Sequence, residues 1–130
     1  MKKNTKKEKT KKILIIEDES MIRDALVDNL REEGYQVFGS ESVDAAFKQM
    51  REERPDIILT DLVMSKIDGY EFLHMIKEDE AFKEIPVLVL SNLGEPNDIA
   101  RALSLGAQDF MVKSNLSLKE VTARVKKALS

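Results

Sequence analysis

The sequence contains no cysteine, which excludes a disulfide framework and a thiolate metal site and leaves the fold to hold by packing alone. One histidine in 130 residues offers no cluster that would favour zinc. No apolar run approaches the roughly 20 residues needed to cross a bilayer, and no apolar segment follows the amino-terminal lysines to act as a signal peptide. These absences lead us to expect an unexported, cytoplasmic protein with no membrane span. There is no GxxxxGK loop, which argues against a nucleotide hydrolase, and no GxGxxG turn after the first strand.

What is present is enough for one compact domain, with 42% hydrophobic residues. The net charge of −3 conceals an asymmetry: residues 1 to 12 carry seven lysines and one glutamate, and their +6 leaves −9 for residues 13 to 130. A lysine-rich segment with nothing apolar to offset its ordering entropy is expected to be a disordered, solvated tail, drawn at residues 1–11, with one domain over 12–130. It has no interleaved aromatics to stack on bases.

Two periodicities alternate along that domain. Ile13-Leu14-Ile15-Ile16 is a continuous apolar run of the kind buried on both faces of a parallel sheet, and it stops at Glu17-Asp18. Ile22, Ala25, Leu26 and Leu30 then recur at helical spacing behind Ser20, a candidate N-cap, with Gly34 suited to the left-handed residue that ends a helix. A second strand over Tyr35 to Phe38 and a second helix capped by Ser42 follow, and Pro55 bars that helix from continuing. Strand three, Ile57 to Thr60, ends at Asp61, and Asp68-Gly69 reads as a turn into helix three. Val87 to Leu90 makes strand four, Pro96 suits the first turn of helix four, and Gly106 closes it. Phe110 to Val112 makes strand five, ending at Lys113, and Leu118, Val121, Val125 and Leu129 line a last helix.

Strict alternation of this kind predicts a doubly wound five-stranded parallel sheet with five helices on its two faces and right-handed crossovers. Ligands of such sheets sit beyond the carboxyl ends of the strands. Glu17-Asp18, Asp61, Ser91 and Lys113 stand just past four of the five apolar runs, so three carboxylates, a hydroxyl and an ammonium are expected along one edge. Clustered carboxylates repel and raise one another's pKa unless a cation neutralises them. All-oxygen donors suit Mg²⁺, and Mn²⁺ equally in kind. A carboxylate is also a nucleophile toward phosphorus, and a lysine and a hydroxyl can stabilise the phosphoryl oxygens.

These residues resemble a bacterial two-component response-regulator receiver domain of the single-domain chemotaxis type, over residues 12 to 129. The likeness rests jointly on the acid pair in ILIIEDES, the aspartate in ILTDLVMSKIDGYEFL, the hydroxyl in PVLVLSN and the lysine in GAQDFMVK. It implies the flavodoxin-like strand order 2-1-3-4-5. It also implies that Asp61 is the phosphoacceptor and that Glu17, Asp18, Asp61 and the Val63 main-chain carbonyl hold Mg²⁺. By the same likeness Ser91 meets the phosphoryl group, Lys113 pairs with it, and Ser91 and Phe110 form the switch. The partners implied are a histidine kinase or histidine phosphotransfer protein upstream. Downstream, a protein target or a second copy would bind the face of helix four, strand five and helix five.

On this reading the chain is a switch and not a turnover enzyme, with no DNA-binding domain in the sequence given. Three positions depart from the family pattern: Ser65 replaces a common proline, Asn92 a common small residue, and Ser114 the proline whose cis bond usually follows the lysine. The alternative is a pseudo-receiver, the same fold used as a phosphorylation-independent interaction module. A haloacid-dehalogenase-type phosphatase is a poor fit, since its second acid would fall at Val63. His74, on a polar-flanked helical face, is not expected to relay phosphate.

Overall fold

The computed structural model describes residues 10–64 and 68–130; most of the lysine-rich tail and Ser65 lie outside them. Strands and helices alternate through β1 (Lys12–Ile16), α1 (Ser20–Glu32), β2 (Gln36–Ser40), α2 (Val43–Glu52) and β3 (Ile57–Thr60). The order continues with α3 (Gly69–Glu78), β4 (Val87–Ser91), α4 (Pro96–Ser104), β5 (Asp109–Val112) and α5 (Leu118–Leu129). The strands form one sheet in the order β2-β1-β3-β4-β5, and every neighbouring pair is parallel.

The apolar runs are continuous because successive strand side chains point to opposite faces and both faces are covered. Leu14, Ile16, Ile58, Val87 and Val89 meet the buried sides of α2, α3 and α4 around Phe72. Their neighbours Ile13, Ile15, Ile57, Leu59, Leu88 and Leu90 meet α1 and α5. The two cores clamp the sheet and direct its carboxyl edge at solvent.

Local signals set most of the boundaries. Ser42 and Asp68 accept N–H bonds from Ala45 and Glu71 at 3.2 and 2.8 Å, capping α2 and α3. Gly34 and Gly106 end α1 and α4 with φ of 101° and 111°, values that favour glycine. β2 runs Gln36–Ser40, later than the expected Tyr35–Phe38, because it follows the parallel register set by β1, with Ile16 opposite Ser40. The cap of α1 is also displaced. Glu19 is its N-cap and Ser20 its first helical residue, since the Glu19 N–H donates to the Glu17 side chain at 3.2 Å and fixes the chain one residue earlier.

Candidate functional site

β3 delivers Asp61 to the carboxyl edge, where its backbone N–H donates to the Ile16 carbonyl at 3.2 Å. Thr60 Oγ donates to the Asp61 carbonyl at 2.9 Å, and the Gly69 N–H returns to the Leu62 carbonyl at 2.8 Å. α3 can start this close because Gly69 has no side chain; a Cβ there would collide with the Asp61 carbonyl oxygen and Leu62 Cα. Asp61 is 7% exposed. Its Oδ1 accepts the N–H groups of Leu62 and Val63 at 2.6 and 3.3 Å, and its Oδ2 faces Lys113 Nζ at 2.9 Å.

Lys113 bridges two acids. Its ammonium lies 2.6 Å from Glu17 Oε1 as well, and Glu17 is 2% exposed. Burial pushes the Glu17 carboxyl above its ordinary value, against the opposing influence of Lys113 and the Glu19 N–H. Burial alone would lower Lys113, but its hydrogen bonds to Glu17 and Asp61 and their two charges outweigh it, so its pKa is raised. Among the described residues there is no cis peptide bond, and Lys113 reaches both carboxylates with a trans bond to Ser114, from a short 3₁₀ turn at Lys113–Asn115.

Asp18, Glu19, Asp61, Val63, Ser91, Asn92, Leu93 and Lys113 line one concavity of about 410 Å³. Ser91, at the end of β4, is fully buried, and its hydroxyl oxygen accepts the Leu93 N–H at 3.2 Å. Asp18 is exposed, and Val63 is 58% exposed. The structure thus brings Asp18, Asp61, Val63, Ser91 and Lys113 together, with Glu17 behind Lys113. It does not gather the three acids as a ready cage: among the described residues no three acidic or histidine side chains converge on one point. The donor set is nonetheless all oxygen and fits a hard divalent ion, since Asp18, Asp61 and Val63 line the same pocket and carry two carboxylates and a main-chain carbonyl.

Phe110 is half-buried against the α2–α4 core, opposite Val89 in the sheet register. It is neither fully core nor solvent-facing. His74 is exposed on α3 and does not line this concavity.

Two partners were not legible in the sequence. The Arg23 guanidinium holds the Glu17 main-chain carbonyl at 2.7 Å, and Tyr70 OH reaches Asp98 Oδ1 at 3.2 Å while Arg101 covers its ring. A lone arginine or tyrosine on a helix carries no motif; the glycine at position 39, which makes room for the arginine stem, is the one sequence trace.

Comparison with known proteins agrees with this fold. The family described as response regulator receiver domain matches residues 13–126. The phosphate regulon transcriptional regulatory protein PhoB of Escherichia coli is 36% identical over 116 residues, 89% of this chain and 50% of the relative. The alkaline phosphatase synthesis transcriptional regulatory protein PhoP of Bacillus subtilis is 37% identical over 119 residues, 92% of this chain and 48% of the relative. The chain therefore spans about half the length of these relatives. Among solved structures, the signal receiver domain of a signal transduction histidine kinase from Syntrophus aciditrophicus superposes with a TM-score of 0.84 at 32% identity, covering 92% of this chain and 90% of that one. With its sheet order, its acid-and-lysine edge and a family match across nearly all of its length, the chain belongs to the response regulator receiver domains of two-component signal transduction.

Proposed function

We propose that Asp61 accepts a phosphoryl group from a histidine kinase or histidine phosphotransfer protein, and that the phosphorylated chain signals by binding another protein. The observation that carries this reading is the buried Asp61 carboxylate, one oxygen held by two main-chain N–H groups and the other by Lys113 at 2.9 Å. In the transfer a carboxylate oxygen forms the new bond to phosphorus, the phosphorus–nitrogen bond of the donor's phosphohistidine breaks, and the imidazole leaves with its electron pair and takes up a proton. Lys113 and the Ser91 hydroxyl donate to the phosphoryl oxygens. Asp18, Asp61 and the Val63 carbonyl, with Glu17 behind them, would hold Mg²⁺ or Mn²⁺, which supplies further charge neutralisation when bound.

A protein donor suits the surroundings of the site. A second concavity of about 390 Å³, lined mainly by apolar groups of α1 and of the segment leading into α5, shares Lys113 with the first and has the exposed Met21 and Leu118 at its rim. An apolar surface beside the carboxylate gives a partner's side chains something to bury against while the donor histidine is presented.

The reading is tested by intact mass after incubation with acetyl phosphate. The protein should gain one phosphoryl group with Mg²⁺ or Mn²⁺ and none in chelator. A chain that never takes up the label would instead be the pseudo-receiver, an interaction module independent of phosphorylation.

Output follows from Ser91. New acceptor oxygens on Asp61 draw its hydroxyl inward and disturb the β4–α4 segment, a differential contact that biases a two-state element. Phe110, half-buried and lacking the polar tether of a tyrosine hydroxyl, moves into the space beside it. The responding face is α4, β5 and α5, where Leu103 is 46% exposed. Association with a target or a second copy should change on adding the phosphoryl mimic beryllofluoride in wild type and not in Phe110→Ala; equal responses would show that this face is not the output.

A further inference from the structure

The loop Glu17–Asp18–Glu19 is pinned on both sides of Asp18. The Glu17 N–H donates to the Ser40 carbonyl of β2 at 3.0 Å, and the Glu19 N–H donates to Glu17 Oε2 at 3.2 Å. The Glu17 carbonyl, which belongs to the same peptide as the Asp18 nitrogen, accepts from Arg23 Nη1 at 2.7 Å. Arg23 is half-buried in the first turn of α1, and its own N–H donates to the Glu19 carbonyl at 2.9 Å. A charged donor on a main-chain oxygen is a short, strong and directional bond. Among the hydrogen bonds of the described residues it is the one that a side chain from outside the loop makes to the loop's main chain, whereas Lys113 holds the Glu17 side chain at 2.6 Å.

The neighbouring strand is shaped to admit this side chain. A Cβ at Gly39 would lie 3.1 and 3.2 Å from Arg23 Cγ and Cδ and 3.3 Å from Val27 Cγ2. Glycine inside a strand commonly marks such a close approach. Gly39 is paired with Ile15 in β1, so the arginine stem crosses β2 beside the strand that delivers the acids.

From this geometry we infer that Arg23 is a positioning residue for the divalent-ion site. By fixing the plane of the Glu17–Asp18 peptide it aims the Asp18 carboxylate into the pocket it shares with Asp61 and the Val63 main chain, and Gly39 keeps the path for its stem open. The inference rests on the metal reading given under Proposed function. Arg23 touches neither the phosphoryl group nor the ion, and acts through the backbone of their ligands, as groups that orient metal ligands do.

Mn²⁺ binding to the full chain, followed by the electron paramagnetic resonance signal of free Mn²⁺, tests this without any reaction. Arg23→Ala should raise the Kd about 10-fold, and Arg23→Lys, which still carries a donor, should recover much of the loss. Gly39→Ala should weaken binding on its own but add little in the Arg23→Ala background, where the two closest atoms it crowds, Arg23 Cγ and Cδ, are gone and only Val27 Cγ2 remains at 3.3 Å, so the two changes should be non-additive. In acetyl phosphate labelling the half-saturating Mg²⁺ concentration should rise by the same factor, while the rate at saturating Mg²⁺ stays within about twofold. A merely structural role would lower that saturated rate as well and would not be rescued by lysine. Equal Kd values for wild type, Arg23→Ala and Gly39→Ala would overturn the positioning role and leave the metal site standing. A wild type that binds no Mn²⁺ would overturn both.

Discussion

Asp61→Asn should leave a folded protein that takes up no phosphoryl group at any Mg²⁺ concentration. Asparagine keeps the shape of the side chain and an oxygen for the Leu62 and Val63 N–H groups, but an amide is not a nucleophile toward phosphorus. The fold should tolerate the change because Lys113 retains Glu17, 2.6 Å away. Wild type sets one ammonium against two nearly buried carboxylates, and the variant sets one against one, so the mutual repulsion of the acids is removed. We therefore expect a thermal midpoint no lower than that of wild type, together with complete loss of label by intact mass. Labelling equal to wild type would show that another residue is the acceptor.

Lys113→Ala should have the largest effect on the unliganded fold. It leaves Glu17 and Asp61, 2% and 7% exposed, facing one another with no cation between them. Removing one partner of a buried ion pair costs about 3–5 kcal/mol, and protonation of Glu17 should hold the loss toward the lower end. Divalent ions should restore part of that stability by replacing the ammonium, so added Mg²⁺ should stabilise the variant against urea more than it stabilises wild type.

The pH dependence of that variant has a definite sign. The Glu17 carboxyl is already raised above its ordinary 4.5 by burial, and losing Lys113 removes two influences that lower it. A group whose folded pKa is raised contributes stability that is full below the unfolded value and lost as pH rises through the folded one. The deficit of Lys113→Ala against wild type should accordingly shrink as pH falls toward 4.5 and be widest at neutral pH. Urea denaturation at several pH values, with and without Mg²⁺, reads both effects. A variant as stable as wild type, with the same response to Mg²⁺, would show that the ammonium does not neutralise the pair. Its phosphorylated form should also switch poorly, since the phosphoryl oxygens lose one of their two side-chain donors.

The sheet was legible because its strands are buried on both faces: Ile13 to Ile16, Ile57 to Thr60 and Val87 to Leu90 cannot be exposed on either side, and each stops at a polar residue. The same stops pointed to the residues that the structure gathers at the carboxyl edge, since the ends of parallel strands share an edge. What the sequence could not display was pairing at long range. Clustered acids suggested that a metal must neutralise them, whereas Lys113, 96 residues from Glu17, already stands between two of the three. The loss of the usual proline after that lysine gave reason to question its placement, yet the 3₁₀ turn brings Nζ within hydrogen-bond distance of both acids. The cap of α1 differs for a related reason: Ser20 has the right chemistry, but the Glu19 N–H is held by the Glu17 side chain and the Glu19 carbonyl accepts the first helical N–H, from Arg23, at 2.9 Å. The Arg23 anchor and the Tyr70 link to Asp98 depend on which helix faces which loop, a product of packing that composition and spacing do not encode.

On the proposed function, one carboxylate at the end of β3 carries the phosphoryl group. An aspartyl phosphate is reduced by borohydride to homoserine, so the acceptor can be identified after the label itself has gone. Protein treated with acetyl phosphate and Mg²⁺, reduced and digested, should yield homoserine at position 61 and at no other aspartate, in proportion to the phosphoryl mass gained beforehand. Unmodified Asp61 in a chain that has gained that mass, with homoserine at Asp18 or stable phosphate on Ser91, would contradict the account.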